Sequence, residues 1–341
     1  MEIDIDKLKK DLSSSNNQNV RVKSAIQLLK IADNKVEDTI IKTAFEILTL
    51  YNQQLAEKTV KELASLQKDW RVLILCSAFL RYIGEQEQAD ALLLNAINIF
   101  KVTGQNAEQM FSFLRSDWHS SMTWNIMAWF FMGLEFLDIA EECCEKSLEI
   151  KDNISETYYF KGLIYSKKAQ YLLVKMKKER VEQLKELIQK GLVTEKFINS
   201  LPVNRVVALE NITVTPKSTG DLLVPPNKTS EVWEQYCENA KKFYDMAINL
   251  DPNNLRAWKS KGYLYCIVIF QGTRNSNDLL SSIECFKKCT EINPKDAEAW
   301  TILADLSMIL GRKEDAIQFQ KKALQLDPDI LMKIEKKIKL V

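Results

Sequence analysis

Glu291-Ile-Asn-Pro294-Lys-Asp-Ala-Glu-Ala-Trp300 decides the reading of this chain, because much of it is said twice more. Asn249-Leu-Asp-Pro252 is followed by Trp258, and Gln325-Leu-Asp-Pro328 stands near the C-terminus. In the first two segments a tryptophan stands six residues beyond the proline. Pro294 and Pro328 are 34 residues apart, a period at which helix–turn–helix units stack on copies of themselves. A chain built this way works by presenting a surface, so the repeat bears on function as well as on fold.

The totals agree with a helical array. The 341 residues are too many for one simple core but suit repeats that pack only on their neighbours. Only 9 Gly and 7 Pro occur, against average usages of about 7% and 5%. Basic and acidic residues balance at 47 and 46, so no global field draws nucleic acid or anionic membrane. No apolar run approaches the ~20 residues of a membrane span. Met1–Asn19 has no apolar stretch of signal-peptide type. A soluble, cytoplasmic protein is expected. The seven cysteines are odd in number and contain no Cys-x-x-Cys, which fits reduced core thiols better than a disulfide framework. With His119 the only histidine, no zinc-type ligand set exists, and no metal or cofactor is expected.

Working outward from the prolines, the last copy begins at Ala297 and carries Trp300, Leu303, Ala304, Gly311, Ala316, Ala323 and Pro328. The copy before it begins at Leu255, with Trp258, Gly262, Tyr265, Ser282, Phe286, Cys289 and Pro294, and has extra residues around Gln271–Asp278. Ser121–Ile154 forms another copy, with Trp124, Met127, Ala128, Phe131, Ala140, Cys144 and Ser147. The next first helix carries Tyr158, Gly162 and Tyr165, and its second helix arrives only at Ala240, Tyr244, Ala247 and Pro252. Weaker copies lie at Leu73, Cys76, Ser77, Leu80, Gly84, Ala89, Leu93 and Ala96, and at Ile40, Ala44, Ile47 and Ala56. Small residues let helix axes approach, and bulky ones fill the grooves between them. Proline after the second helix prevents its continuation.

Residues at these spacings resemble the tetratricopeptide repeat family. The resemblance implies an all-α fold: a right-handed helix–turn–helix solenoid with a long mid-repeat insertion. It divides the chain into a partly flexible N-terminal segment at 1–19, divergent repeats at 20–120, and repeats at 121–330 interrupted at about 166–232. A C-terminal capping helix at 331–341 is apolar on one side through Ile334, Ile338 and Leu340. Gln105–Trp118 lies between copies as a candidate extra helix.

The insertion has two parts. Lys167–Lys190 is helical by pattern, with Leu172, Leu173, Met176, Val181, Leu184, Leu187 and Ile188 near period 3.6 and Gly191 as a stop. The first helix of that repeat is thus expected to run on as one long helix. The remainder holds Pro202, Pro216, Pro225 and Pro226 and a β-branched stretch at Val206–Val214, which reads as extended loop with a short strand pair.

The family implies that partners bind the concave face formed by the first helices. That places Asn125, Trp129, Tyr159, Phe160, Leu163, Arg256, Lys259 and Tyr263 as candidate partner-binding residues. This face is more apolar than a solvated one should be. Either the insertion, with Val206, Val207, Leu209, Ile212 and Val214, folds over it, or a partner peptide docks there. Some members hold acidic C-terminal tails in a carboxylate clamp; Lys259 fits one of its positions, but Tyr263 and Asn125 do not, so that clamp is not expected. A non-catalytic scaffold or adaptor for a protein or peptide segment follows, gated by the insertion. The alternative is an RNA-binding helical-repeat protein using the basic helix Lys167–Arg180, although nucleic acid is not the expected partner and no membrane is implied. The oligomeric state is not fixed by the sequence.

Asp117-Trp-His119-Ser-Ser121 contains the residue types of a hydrolytic triad, but neighbours at a helix start do not converge as a triad does. A helix N-cap at Ser120 or Ser121 explains it better. Phosphate loops and glycine-rich fingerprints are missing.

Overall fold

In the computed structural model, the structure describes residues 4–33, 36–102, 112–115, 118–190, 228–268 and 276–332. Every regular element among them is helical. In chain order these are α1 (Ile5–Ser14), α2 (Gln18–Ile31), α3 (Asp38–Tyr51), α4 (Gln53–Leu66), α5 (Trp70–Tyr82), α6 (Gln86–Val102) and α7 (Ser121–Gly133). There follow α8 (Leu137–Ile150), α9 (Ser155–Gln189), α10 (Lys228–Leu250), α11 (Leu255–Val268), α12 (Ser276–Ile292), α13 (Ala297–Ile309) and α14 (Lys313–Leu326). The chain divides into two compact units, residues 1–160 and 161–341.

In the first unit α5 pairs with α6 and α7 with α8, and α5 also packs on α7. That is the first-helix/second-helix pairing the spacing predicts. Helix α5 additionally meets α3 and α4, so every residue from Trp70 to Arg81 is buried. A buried arginine, Arg71, anchors the start of α5. Its Nη1 donates to Val36 O at 2.8 Å and to Asp38 Oδ1 at 2.6 Å, and its Nη2 donates to Asp33 O at 2.8 Å and to Asp69 Oδ2 at 2.6 Å. Asp69 is in turn the N-cap of α5. The N-terminal segment carries α1, with Leu8 and Leu12 buried.

Ser120 is the N-cap of α7, its Oγ accepting from Met122 N at 3.2 Å. The buried Glu46 of α3 reinforces this helix start, accepting from His119 N at 2.9 Å and Ser120 N at 3.0 Å. Carboxylates suit helix N-termini because unpaired N–H groups and the macrodipole meet them there. The single histidine thus stands at a capped helix start with its side chain in solvent.

In the second unit α10 packs on α11, α11 on α12, α12 on α13 and α13 on α14. Between α9 and α10 the Ser166 and Tyr244 hydroxyls meet at 2.9 Å, and the Tyr165 ring meets Tyr236 edge-on and Phe243 at a tilt. Helix α9 runs unbroken for 35 residues, so the first helix of this repeat continues through the first part of the insertion as its pattern predicts. Residues 191–227, including the proposed strand pair and Val206, Val207, Leu209, Ile212 and Val214, lie outside the described residues. So do most of Gln105–Trp118 and residues 333–341 of the tail. Ile330, just before them, is buried on Ala297 and Ala323.

The proline–tryptophan spacing has a physical cause. Trp258 Nε1 donates to Pro252 O at 3.0 Å, and Trp300 Nε1 donates to Pro294 O at 3.0 Å. Trp124 Nε1 donates to Trp118 O at 3.1 Å, again six residues back. The carbonyl is the shared element, since position 118 is not a proline. Each indole closes the turn leading into its own helix. Asp251 and Asn293 shape two of these turns alike, their Oδ1 accepting from Asn253 N and Lys295 N. Asp327 does the same for Asp329 N, but Ile334 takes the tryptophan's place. Trp258→Phe and Trp300→Phe keep the ring packing and remove the donor. Each is expected to cost roughly 1 kcal/mol, read as a lower thermal midpoint by circular dichroism.

Candidate functional site

The eight candidate residues fall into different environments. In the first unit, Asn125 is buried and its Oδ1 accepts from Thr157 Oγ1 at 2.9 Å; Thr157 Oγ1 lies 3.0 Å from Ser147 Oγ. Its amide is used to join α7, α8 and α9. Phe160 is 1% exposed, with Tyr82, Trp129 and Tyr159 rings around it at 6.4, 5.4 and 5.5 Å. Tyr159 is buried too. An open face at Asn125, Tyr159 and Phe160 is therefore not what the structure has. The physical reason lies in the neighbouring helices: Tyr82 of α5 and Trp129 of α7 close around Phe160, and Thr157 of α9 takes up the Asn125 amide. Trp129 remains half-buried, with its Nε1 donating to Arg81 O at 2.8 Å.

In the second unit Leu163 is half-buried on α9. The charged candidates gather on α11. Arg256 is exposed, while Lys259 and Tyr263 are half-buried one turn apart. Lys259 Nζ pairs with Asp296 Oδ2 at 2.6 Å and Glu298 Oε2 at 3.3 Å. Tyr263 donates its hydroxyl to Glu298 Oε1 at 2.8 Å, and its ring meets Phe286 edge-on at 5.3 Å. Burial disfavours the Lys259 charge, but Asp296 and Glu298 outweigh it and hold the ammonium above its usual pKa. Burial and then Glu298 push the Tyr263 phenol upward as well, so it stays a donor. Asp296 also caps α13, accepting from Ala299 N at 3.0 Å. Glu298 is thus the organising residue of this face, held from α11 by two side chains. The sequence offered one signal for it, its place at the second position of the last repeat.

Among the described residues no group of three His, Cys, Asp or Glu could hold a metal ion. Burial pushes the thiols of Cys76, Cys143, Cys237, Cys285 and Cys289 up to about 12, so they stay protonated at neutral pH and are poor nucleophiles. None of the seven cysteines is in a disulfide. Among the described residues no helix is long and apolar enough to cross a membrane. On the basic helix, Lys175 lies 3.9 Å from Glu179 and Lys168 lies over the Tyr165 ring.

The tetratricopeptide repeat family model matches residues 274–296 and 297–330. No curated protein matches the chain. Among solved structures, MamA is similar at 16% identity and a TM-score of 0.38, covering 75% of this chain and 97% of its own. TTC0263, a thermophilic TPR protein of Thermus thermophilus, is similar at 13% identity and a TM-score of 0.43, with 80% and 98% covered. The pilF protein of Pseudomonas aeruginosa is similar at 9% identity and a TM-score of 0.41, with 94% and 99% covered. The family match makes the helix pairs at residues 274–330 tetratricopeptide repeats, and successive helix pairs upstream, with small residues at their crossings, have the same arrangement.

Proposed function

We propose that this protein is a non-catalytic scaffold or adaptor that docks a protein or peptide segment on the first-helix face of its second unit. Tetratricopeptide repeats are protein-interaction modules, and that coarse role comes with the fold. One observation supports placing the site at α11. Arg256, Lys259 and Tyr263 share one face, and the two inner side chains are already fixed by Glu298. A partner meeting that face loses little additional side-chain entropy on binding, because the ordering is done in the free protein. Exposed Arg256 supplies a charge-assisted donor beside it. Half-buried Leu163 and Trp129 are further contact candidates, each within its own unit.

Affinity capture with crosslinking mass spectrometry tests this reading. Crosslinks are expected at Lys259 and at α11 and α13 neighbours. Arg256→Ala is expected to weaken the captured partner about tenfold without changing the thermal midpoint, since surface substitutions of this kind stay within ~0.5 kcal/mol of stability. Crosslinks confined to the outer helices α10, α12 and α14, with Arg256→Ala silent, would sink the proposal.

A further inference from the structure

Between Lys161 and Lys178, α9 carries six lysines and no acidic residue, in a chain whose charges as a whole balance at 47 basic and 46 acidic. This helix is packed on one side. Gly162, Ser166, Ala169 and Leu173 follow one another in steps of four, three and four residues and are all buried. The first two of them lie against Tyr244 of α10. Lys167, Tyr171, Val174 and Lys178 repeat the same steps five residues out of phase. At about 100° per residue, that sets them about 140° round the helix, away from α10. Tyr171 and Val174 are 42% and 50% exposed. Lys175, one turn on from Tyr171, and Lys178 are exposed beside them. Lys167 and Lys178 make no ion pair among the described residues, and Lys175 Nζ stands 3.9 Å from Glu179. The face thus has an apolar centre of two side chains one turn apart, with lysines around it. Its charge attracts an acidic occupant and rejects a basic one. Its centre gains from losing water only against apolar atoms. Tyr171 by itself would suit a nucleic-acid base, but Val174 gains nothing from a sugar-phosphate chain. A peptide supplies both terms.

We propose that Lys167, Tyr171, Val174, Lys175 and Lys178 form a docking surface for an acidic amphipathic peptide segment. An aliphatic or aromatic side chain of that segment covers Tyr171 and Val174, and Asp or Glu carboxylates flanking it meet the lysines. This surface goes beyond the α11 face proposed above and does not depend on it. The α11 face offers Lys259 and Tyr263 already held by Glu298, whereas the α9 face offers a bare apolar anchor inside a basic rim.

A phage-displayed random dodecapeptide library tests the proposal. It is first depleted on the full-length Lys175→Glu/Lys178→Glu variant and then selected on the full-length wild type. Both substituted side chains are exposed, so the variant should keep the wild-type thermal midpoint. Enriched peptides are expected to carry Asp or Glu beside Leu, Ile, Phe or Trp. As synthetic fluorescein-labelled peptides they should bind the double variant at least tenfold more weakly, and weaken as salt rises. Val174→Ser, which leaves the charge unchanged, should cost about fivefold, and Arg256→Ala nothing. No enrichment after depletion overturns the proposal. So do peptides that are acidic but indifferent to Val174→Ser, since the lysines then act only as a general polyanion attractor. Peptides lost on Arg256→Ala and kept on Val174→Ser overturn it and leave the α11 reading standing. Tighter binding of a fluorescein-labelled oligouridylate than of any selected peptide, abolished in the double variant, overturns it in favour of nucleic acid. Carbodiimide joining of Lys175 or Lys178 to the chain's own Glu195, Glu210 or Asp221 in the free protein overturns it as well, since the chain then covers its own surface.

Discussion

Arg71→Met unfolds the first unit at much lower urea than the wild type, with an expected loss of about 3–5 kcal/mol. The side chain is 9% exposed and its five N–H donors meet two carboxylates and two backbone carbonyls. Asp69, 1% exposed at its side chain, is the partner that decides the size of the effect. With the guanidinium gone, Asp69 keeps only backbone donors and is a buried charge without a counter-ion. Val36 O and Asp33 O lose a donor at the same time, and each carbonyl left unsatisfied costs ~1–3 kcal/mol where water cannot reach. Asp38, 54% exposed, contributes little because solvent screens it. Adding Asp69→Asn to Arg71→Met removes the stranded charge while retaining a side chain that caps α5. The double variant should therefore be more stable than the single one. If the single substitution shifts the urea midpoint no more than an exposed lysine does, Arg71 is not the anchor of α5.

Arg71 also marks what the amino-acid sequence concealed. Its backbone acceptors lie 35 and 38 residues upstream, in a connection with no period to betray it. The same holds for Glu46, which reaches a helix start 73 and 74 residues away. The second unit was far more legible. Pro252, Pro294 and Pro328 located its turns, and the six-residue step to tryptophan is the reach of an indole N–H back to a carbonyl. Helical register told which way Tyr159 and Phe160 point in an ideal repeat. It could not tell that the Tyr82 and Trp129 rings close around Phe160, because those contacts join residues on separate helices. In α11 the same register was informative, and Lys259 and Tyr263 share a face. Their joint hold on Glu298 needed coordinates, since it links residues 39 and 35 positions apart.

Gly162→Ala and Gly262→Ala are each expected to destabilise the second unit by about 1–3 kcal/mol, although alanine is the better helix former by roughly 1 kcal/mol. Both glycines sit inside helices at the same repeat position, where two axes cross. A Cβ on Gly162 would stand 2.5 Å from the Tyr244 ring, and one on Gly262 would stand 2.7 Å from the Phe286 ring. Neither ring has room to retreat: both are 0% exposed, and Tyr244 is tied through its hydroxyl to Ser166. Size is balanced across this crossing along the chain. Copies with glycine here carry Tyr244 or Phe286 on the opposing helix, whereas the copies with Ala128 and Ala304 carry Cys144 and Gln320 there. The steric cost should therefore be relieved from the other side. Tyr244→Leu alone opens space and loses stability. Combined with Gly162→Ala it should lose less than the sum of the two, with a coupling of about 1 kcal/mol or more, as expected of side chains in direct contact. Gly84 offers the contrast: nothing lies within 4 Å of its would-be Cβ, and its φ of +94° is what excludes other residues. Gly84→Ala should thus be destabilising through the backbone and show no coupling to any opposing side chain. Simple additivity of Gly162→Ala and Tyr244→Leu in chemical unfolding would mean that the close approach of α9 and α10 is not what the glycine is there to permit.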